Sequence, residues 1–283
     1  MARKRETAMR VHVQGAGKVG VALARALKRS GVHVTLRPAR KGLPRTIDAD
    51  LVVLAVRDRD LGPMAEAMRG VVAERAAVVH VAGALDAEVL APLRGACAGV
   101  GQMHPMISFA SKRFAPGLAH GNLHVQGDRA AVARARRVAR LLGMTARTIR
   151  GLDTVAYHAA AGLVANGAAA LAAVGAELLA RAHVPEAVAP RMLGPLLRSV
   201  AENVEAMGFP AALTGPVRRG DARGVEKHLG MLAAKLPAAV PLYLASAEAQ
   251  MPLARALGDA TPVALDEVAE VLRAWRQHPA AAR

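Results

Sequence analysis

Gly15-Ala16-Gly17-Lys18-Val19-Gly20 has the spacing of a turn that cradles phosphate. In that pattern Gly15 permits a tight turn, Gly17 lets a pyrophosphate approach the backbone, and Gly20 lets a helix pack closely on a strand. Where such a turn opens a helix, the free N–H groups and the helix dipole favour an anion. A bare GxGxxG is weak evidence. Here Val11-His12-Val13 precedes it as a β run, and Val19, Leu23, Ala26 and Leu27 follow on one helical face that stops at Ser30-Gly31. The next β run, Val32–Leu36, ends at Arg37-Pro38-Ala39-Arg40-Lys41. An NAD(H) site places an acid at that end to bond the ribose 2′-OH. Arg37, Arg40 and Lys41 instead suit a 2′-phosphate, so NADP(H) is the expected cofactor. A solvated basic loop is the competing reading.

Histidines supply the candidates for proton chemistry. His104 follows the β run Ala98–Met103 and is pinned by Pro105. Histidine is the side chain best matched to proton transfer near neutral pH, and hydride transfer to a carbonyl or imine needs a proton donor. A structural loop histidine is the alternative. His158 and Asn166 share a stripe with Gly162 on a long helical segment, and Tyr157 is adjacent. A buried Asn166 amide needs a partner, either a substrate oxygen or a neighbouring helix. Ala55, Val56 and Arg57 end another β run, where ligands meet parallel sheets. His80 sits inside a buried run and reads first as a core histidine. Thr214, Arg218 and Arg219 lie in a breaker-rich loop; they are substrate-binding candidates, with a guanidinium to grip a carboxylate.

These residues require an alternation of strands and helices to position them. Asp50–Val56 and Ala76–Val81 read as buried strands, followed by weaker runs at Leu123–Gln126 and Thr145–Ile149 and a helix at Ala130–Leu142. That order predicts an α/β Rossmann domain with a doubly wound, mainly parallel sheet over residues 1–151. From Asp153 the strand signals vanish, which predicts an all-α domain over 152–283. Its helices run through Asp153–Ala182, with a break near Gly162 or Gly167; from Pro185 to about Met207; from an Asp221 cap through Leu232; and from Thr261-Pro262 through Trp275, with frayed residues after Gln277.

The formal charge of the 283-residue chain is +16, which favours anionic partners. The cations are scattered, stacking aromatics are nearly absent, and no helix-turn-helix or zinc-finger pattern occurs, so nucleic acid is disfavoured. Cys97 is the single cysteine, which excludes a disulfide framework or a multi-cysteine metal site and fits a reducing, cytoplasmic setting. No metal is expected. The Met1–Thr7 tail is basic and lacks an apolar signal region. Ala159–Ala176 carries no charge but falls short of a membrane span. It reads as a helix buried in a soluble protein or between two subunits, not as a membrane anchor.

The glycine turn, Leu54-Ala55-Val56-Arg57-Asp58, His80-Val81-Ala82-Gly83-Ala84, His104-Pro105-Met106, Tyr157-His158-Ala159-Ala160-Ala161, Ala165-Asn166 and Leu213-Thr214-Gly215-Pro216-Val217-Arg218-Arg219-Gly220-Asp221 together carry a likeness spanning most of the chain. The sequence resembles a bacterial family of Rossmann-like oxidoreductases with a C-terminal domain of unknown function 2520. This family falls within the 6-phosphogluconate dehydrogenase-like and ketopantoate reductase superfamily. The resemblance implies a homodimer formed through the C-terminal helices and a small anionic substrate. His104-Pro105-Met106 is similar to the His-Pro-Met motif of prephenate dehydrogenases. Ketopantoate reductases carry a lysine where this chain has Gly162, and relatives carry serines at Ala82 and Ala165. His104, His158 or Tyr157 must then replace the lysine, with His104 preferred and His158 in reserve. The expected activity is NADP(H)-dependent hydride transfer with a small carboxylate-bearing keto or hydroxy acid or cyclic imine, ketopantoate first. Prephenate dehydrogenase-like oxidation and a non-catalytic NADP(H)-binding sensor or partner protein are the alternatives.

Overall fold

A computed structural model describes residues 9–281, so the basic tail Met1–Thr7 lies outside the described residues. The chain divides into two compact units, residues 1–165 and 166–283. The first contains β1 (Arg10–Gln14), α1 (Lys18–Arg29), β2 (His33–Arg37), β3 (Leu51–Leu54), α2 (Asp58–Ala67), β4 (Ala77–His80), β5 (Gly99–Pro105), β6 (Asn122–Gly127), α3 (Arg129–Leu142) and β7 (Thr145–Arg147). They form one sheet in the order β2-β1-β3-β4-β5-β6-β7. All neighbouring pairs run parallel except β5 and β6.

The apolar runs at β3 and β4 are buried at every residue because helices cover both faces of the sheet. Strand alternation divides them between two cores. Leu51 and Val53 join Leu23, Leu27 and Val138 on one face, while Val52 and Leu54 join Leu61, Met68 and Leu90 on the other. Each fully buried Leu contributes about 1.5–3 kcal/mol. The sequence pattern does not reveal α2. Gly62 and Pro63 interrupt it, yet Leu61 and Ala65 are buried against the sheet.

Pairing with β6 carries β5 further than its apolar run does. His104 was expected after the strand but lies within it, opposite His124, and Pro105 pairs with Leu123.

Helix α4 (Thr154–Arg181) runs unbroken through Gly162 and Gly167. The expected break is absent because glycine costs only about 1 kcal/mol in a helix interior and keeps its N–H. It is followed by α5 (Ala189–Met207), α6 (Ala222–Lys235), α7 (Val240–Leu257) and α8 (Pro262–Arg276). The caps read from sequence are formed. Asp221 accepts from Gly224 N–H at 2.8 Å, and Thr261 Oγ1 accepts from Ala264 N–H. Val225, Leu229, Val240, Leu244, Val268 and Leu272 build the core of the second unit. α7 has no amphipathic stripe to read and contains Pro252. The chain end is more ordered than expected, with His278 stacked on Trp275 at 4.5 Å and a short 3-10 turn at Pro279–Ala281.

No residue of α4 is buried, so the expectation of a helix buried inside this chain is not met. Leu163 is 77% exposed and Val164 71%. The helix is long and apolar enough to cross a membrane by length and composition.

Candidate active site

The order β2-β1-β3 creates a switch point, since the chain leaves β1 in one direction and returns at β3 in the other. The glycine turn lies there, tied by Gly15 N–H to the Arg37 carbonyl and by Ala55 N–H to the Gln14 carbonyl, both at 2.8 Å. Gly15 has φ of +114°, and a Cβ on it would collide with the Ala55 carbonyl. A Cβ on Gly20 would collide with the Gly15 carbonyl, so this glycine closes the helix against the turn. Gly17 differs. Its Cβ would meet only the Ala55 oxygen, 4.0 Å away. Its bare backbone therefore leaves open space rather than relieving a clash, and Lys18 opens α1 beside it. Two glycines shape the turn and the third leaves room for a phosphate, which is the fit a dinucleotide requires.

A cleft of about 940 Å³ opens from this turn. Gly15, Ala16, Gly17, Lys18 and Val19 line it, as do Ala55, Val56 and Arg57. Arg40 lines it also, but Arg37 and Lys41 line a separate cavity of about 290 Å³ over β1 and β2. The Arg37 guanidinium donates to the carbonyls of Lys41 and Gly42, each at 2.7 Å. It holds its own loop.

The far wall carries His104 and His158. Their rings are 5.8 Å apart and nearly perpendicular. Gly83 lies beneath both: a Cβ there would stand 2.8 Å from His104 Nε2 and collide with His158 Nδ1. The His104 Nδ1 is 3.1 Å from the Tyr157 hydroxyl. Burial first, then the neighbouring His158, His124 and His80, push the His104 pKa down to about 4. His104 is therefore a neutral imidazole at neutral pH. Burial raises the Tyr157 pKa. His80 is a satisfied core histidine, with Nδ1 accepting from Ala82 N–H and Nε2 against the Asp86 carbonyl.

Asn166, Thr214, Arg218 and Arg219 belong to the second unit. Asn166 is exposed on α4, and Thr214 and Arg219 are exposed in their loop. Arg218 pairs with Asp259 at 2.7 Å and donates to the Leu213 carbonyl at 2.6 Å. Its guanidinium fastens the loop on which it stands.

Sequence reasoning gave no site role to Gly83, Gln102, Lys112 or His124. Lys112 lines the cleft, and its carbonyl accepts from Arg25 of α1 at 2.6 Å. A signal for the others was present. Gln102 and His104 alternate along β5, as His124 and Gln126 do along β6. Period-two polar residues inside buried strands share one sheet face.

No curated protein matches the chain. Similar solved structures include a Bacteroides fragilis protein named provisionally as an NADP oxidoreductase, at 22% identity and TM-score 0.68, covering 86% of this chain and 98% of that one. A Plasmodium falciparum pyrroline carboxylate reductase with NADP bound is 12% identical with TM-score 0.57, covering 88% and 98%. A Streptomyces aurantiacus imine reductase is 19% identical with TM-score 0.53, covering 93% and 99%. At these identities the likeness is one of fold. Residues 122–250, from the first residue of β6 into α7, match the family model described as Domain of unknown function (DUF2520), the domain that the resemblance names, and the fold is the Rossmann-like one of these solved structures.

Proposed function

We propose that this protein is an NADP(H)-dependent oxidoreductase acting on a carbonyl or imine carbon of a small carboxylate-bearing molecule. The observation that carries the reading is that one cleft joins the phosphate-cradling glycine turn to the paired imidazoles of His104 and His158. The NADP named for the solved Plasmodium reductase and the Bacteroides protein supports the choice of cofactor. When bound, the dinucleotide supplies the hydride.

The remaining steps fall to the chain. Lys18 and the α1 N-terminus meet phosphate charge, and Arg40 offers a bidentate cation to a 2′-phosphate. Neutral His104 presents a nitrogen over Gly83, where it hydrogen-bonds the substrate oxygen or nitrogen as negative charge develops. A neutral imidazole suits this role because it donates a hydrogen bond to the developing charge without carrying a net charge of its own. The cations Lys18, Arg40, Arg57 and Lys112 outnumber Asp58 and Asp60 around the cleft, which favours an anionic substrate.

A screen of NADPH oxidation over 2-keto acids and cyclic imines tests the reading, with ketopantoate the first keto acid and a pyrroline carboxylate the first imine. His104→Asn should cut turnover by about a hundredfold, the lower range for a lost proton-transfer group, and leave NADPH binding intact. NADPH binding without turnover of any substrate would favour the sensor reading; no binding would overturn both.

A further inference from the structure

Behind His104, a chain of hydrogen bonds decides which nitrogen carries which hydrogen. The Gln102 side chain donates from Nε2 to the carbonyls of Ala82 and Leu85, each at 2.7 Å. Its Oε1 accepts from Gln126 Nε2 at 2.8 Å. A flipped amide would set its oxygen against two carbonyl oxygens, so this orientation is fixed. Gln102 Oε1 is also 3.0 Å from His124 Nδ1. An oxygen that carries no hydrogen requires one on Nδ1. His124 is buried, and burial lowers its pKa. Its Nε2 has no partner among the described residues; a hydrogen there would be a buried donor without an acceptor, so the geometry favours a neutral ring with only a lone pair on Nε2.

Tyr157 stands between the two imidazoles. Its ring is 5.4 Å from His104 and 5.5 Å from His124. His124 Nε2 has no hydrogen to give the Tyr157 oxygen, and it receives none from it. Among the described residues the Tyr157 hydroxyl makes one hydrogen bond, the 3.1 Å contact with His104 Nδ1, and its hydrogen points there when Nδ1 accepts. With Nδ1 accepting, the single hydrogen of neutral His104 is on Nε2, over Gly83 at the cleft wall.

We propose that Tyr157 is the proton source of the site, that His104 relays its proton, and that Gln102 and His124 are positioning residues that set the direction. The step balances for a keto substrate. The hydride adds to the carbonyl carbon, and the carbonyl electron pair moves to oxygen. That oxygen takes the hydrogen from His104 Nε2 while Nδ1 takes the hydrogen of Tyr157. His104 ends neutral, the product is a hydroxy acid, and the resulting tyrosinate is reprotonated from water. A phenol holds its proton at neutral pH, whereas His104 stores none there, so the two groups divide between them the storing and the delivery of one proton. This inference rests on the oxidoreductase reading for its substrate, but its hydrogen-bond geometry is independent of that reading.

The test has two arms. Nitrogen-15 NMR of the histidine side chains at neutral pH, without cofactor, should find hydrogen on Nε2 of His104 and on Nδ1 of His124. In Tyr157→Phe, which keeps the ring between the imidazoles, His104 should lose its single tautomer and His124 should keep its own. The kinetic arm measures reduction of a keto acid in H2O and D2O. Tyr157→Phe should lower kcat about a hundredfold, in the range of lost acid–base catalysis, leave KM for NADPH unchanged, and alter the solvent isotope effect. Hydrogen on His104 Nδ1 in the parent protein, or a Tyr157→Phe variant with parental kcat and isotope effect, would overturn the relay. If the parent protein turns over no substrate, the oxidoreductase reading fails alone, and the NMR result still decides the direction of the hydrogen bonds.

Discussion

Gly83 and His104 are in a relationship that a single methyl group would break: a Cβ on Gly83 would stand 2.8 Å from the His104 Nε2. The same Cβ would collide with His158 Nδ1. Gly83→Ala should therefore displace both imidazoles while leaving the glycine turn untouched. Turnover should fall at least tenfold, because small misplacements of reacting groups are costly, with NADPH affinity unchanged. Steady-state kinetics beside a direct NADPH titration separate the two effects, and a parental kcat would show that the rings do not need this bare backbone.

The glycines of the turn should fail in different ways. Gly17→Ala places its Cβ in open space, so thermal stability should hold while NADPH affinity drops. Gly15→Ala combines a positive φ with a backbone collision and should destabilise by more than the roughly 1 kcal/mol typical of a point substitution. Thermal melts with and without NADPH check both.

Arg40 and Arg37 should separate selectivity from loop support. Arg40 faces the cleft that contains the turn, whereas Arg37 is bonded to the Lys41 and Gly42 carbonyls. Arg40→Ala should weaken NADPH about tenfold, the equivalent of one lost charge-assisted bond of roughly 1.4 kcal/mol, and leave NADH binding unchanged. Arg37→Ala should weaken both cofactors alike. Dissociation constants for NADPH and NADH with each variant decide this, and equal losses for Arg40→Ala would remove it from 2′-phosphate recognition.

Acid should destabilise the fold through its buried imidazoles. His12, His80, His104 and His124 all have pKa values lowered first by burial. An unfolded histidine titrates near 6.5, and His104 in the fold near 4. Between those values the unfolded chain binds more protons at this residue than the native one, so the His104 contribution to stability falls as pH drops below about 6.5 and is lost below about 4. For His104 the loss is about 3 kcal/mol at most. Melting temperatures from pH 7.5 to 4.5 should decline, with a shallower slope in His104→Asn.

The exposed faces of α4 and α5 should be covered by a second copy of this chain. Leu163, Val164 and Leu171 on α4 and Leu196 and Val200 on α5 are exposed apolar side chains, and patches of this kind mark association surfaces. Sedimentation should give a dimer, and Leu163→Glu should yield monomer. A monomeric parent protein at micromolar concentration would refute this.

The part of the cofactor site that comes from local sequence was legible. A glycine turn, a strand before it and a helix after it are neighbours in the chain, and a basic loop end is readable at once. What was hidden depends on pairing across the sheet. His104 and His124 are 20 residues apart and meet only because β5 and β6 run antiparallel in that register. Gln102 reads as one polar residue in an apolar run until the carbonyls of Ala82 and Leu85 come into place. Arg37 and Arg40 are alike in sequence, and only the turn of the chain at residues 38–42 sends one toward the cleft and the other to its own loop.

The reversal at β6 also limits how the molecule can be divided. The segment matched by the family model begins at Asn122, the first residue of β6. Gly83, Gln102 and His104 lie before that point, and His124, Tyr157 and His158 after it. A fragment cut there would part Gln102 from His124 and His104 from Tyr157. It would also leave the β5-facing side of β6 unpaired, an open edge that recruits other chains. The matched segment therefore does not fold as a unit of its own.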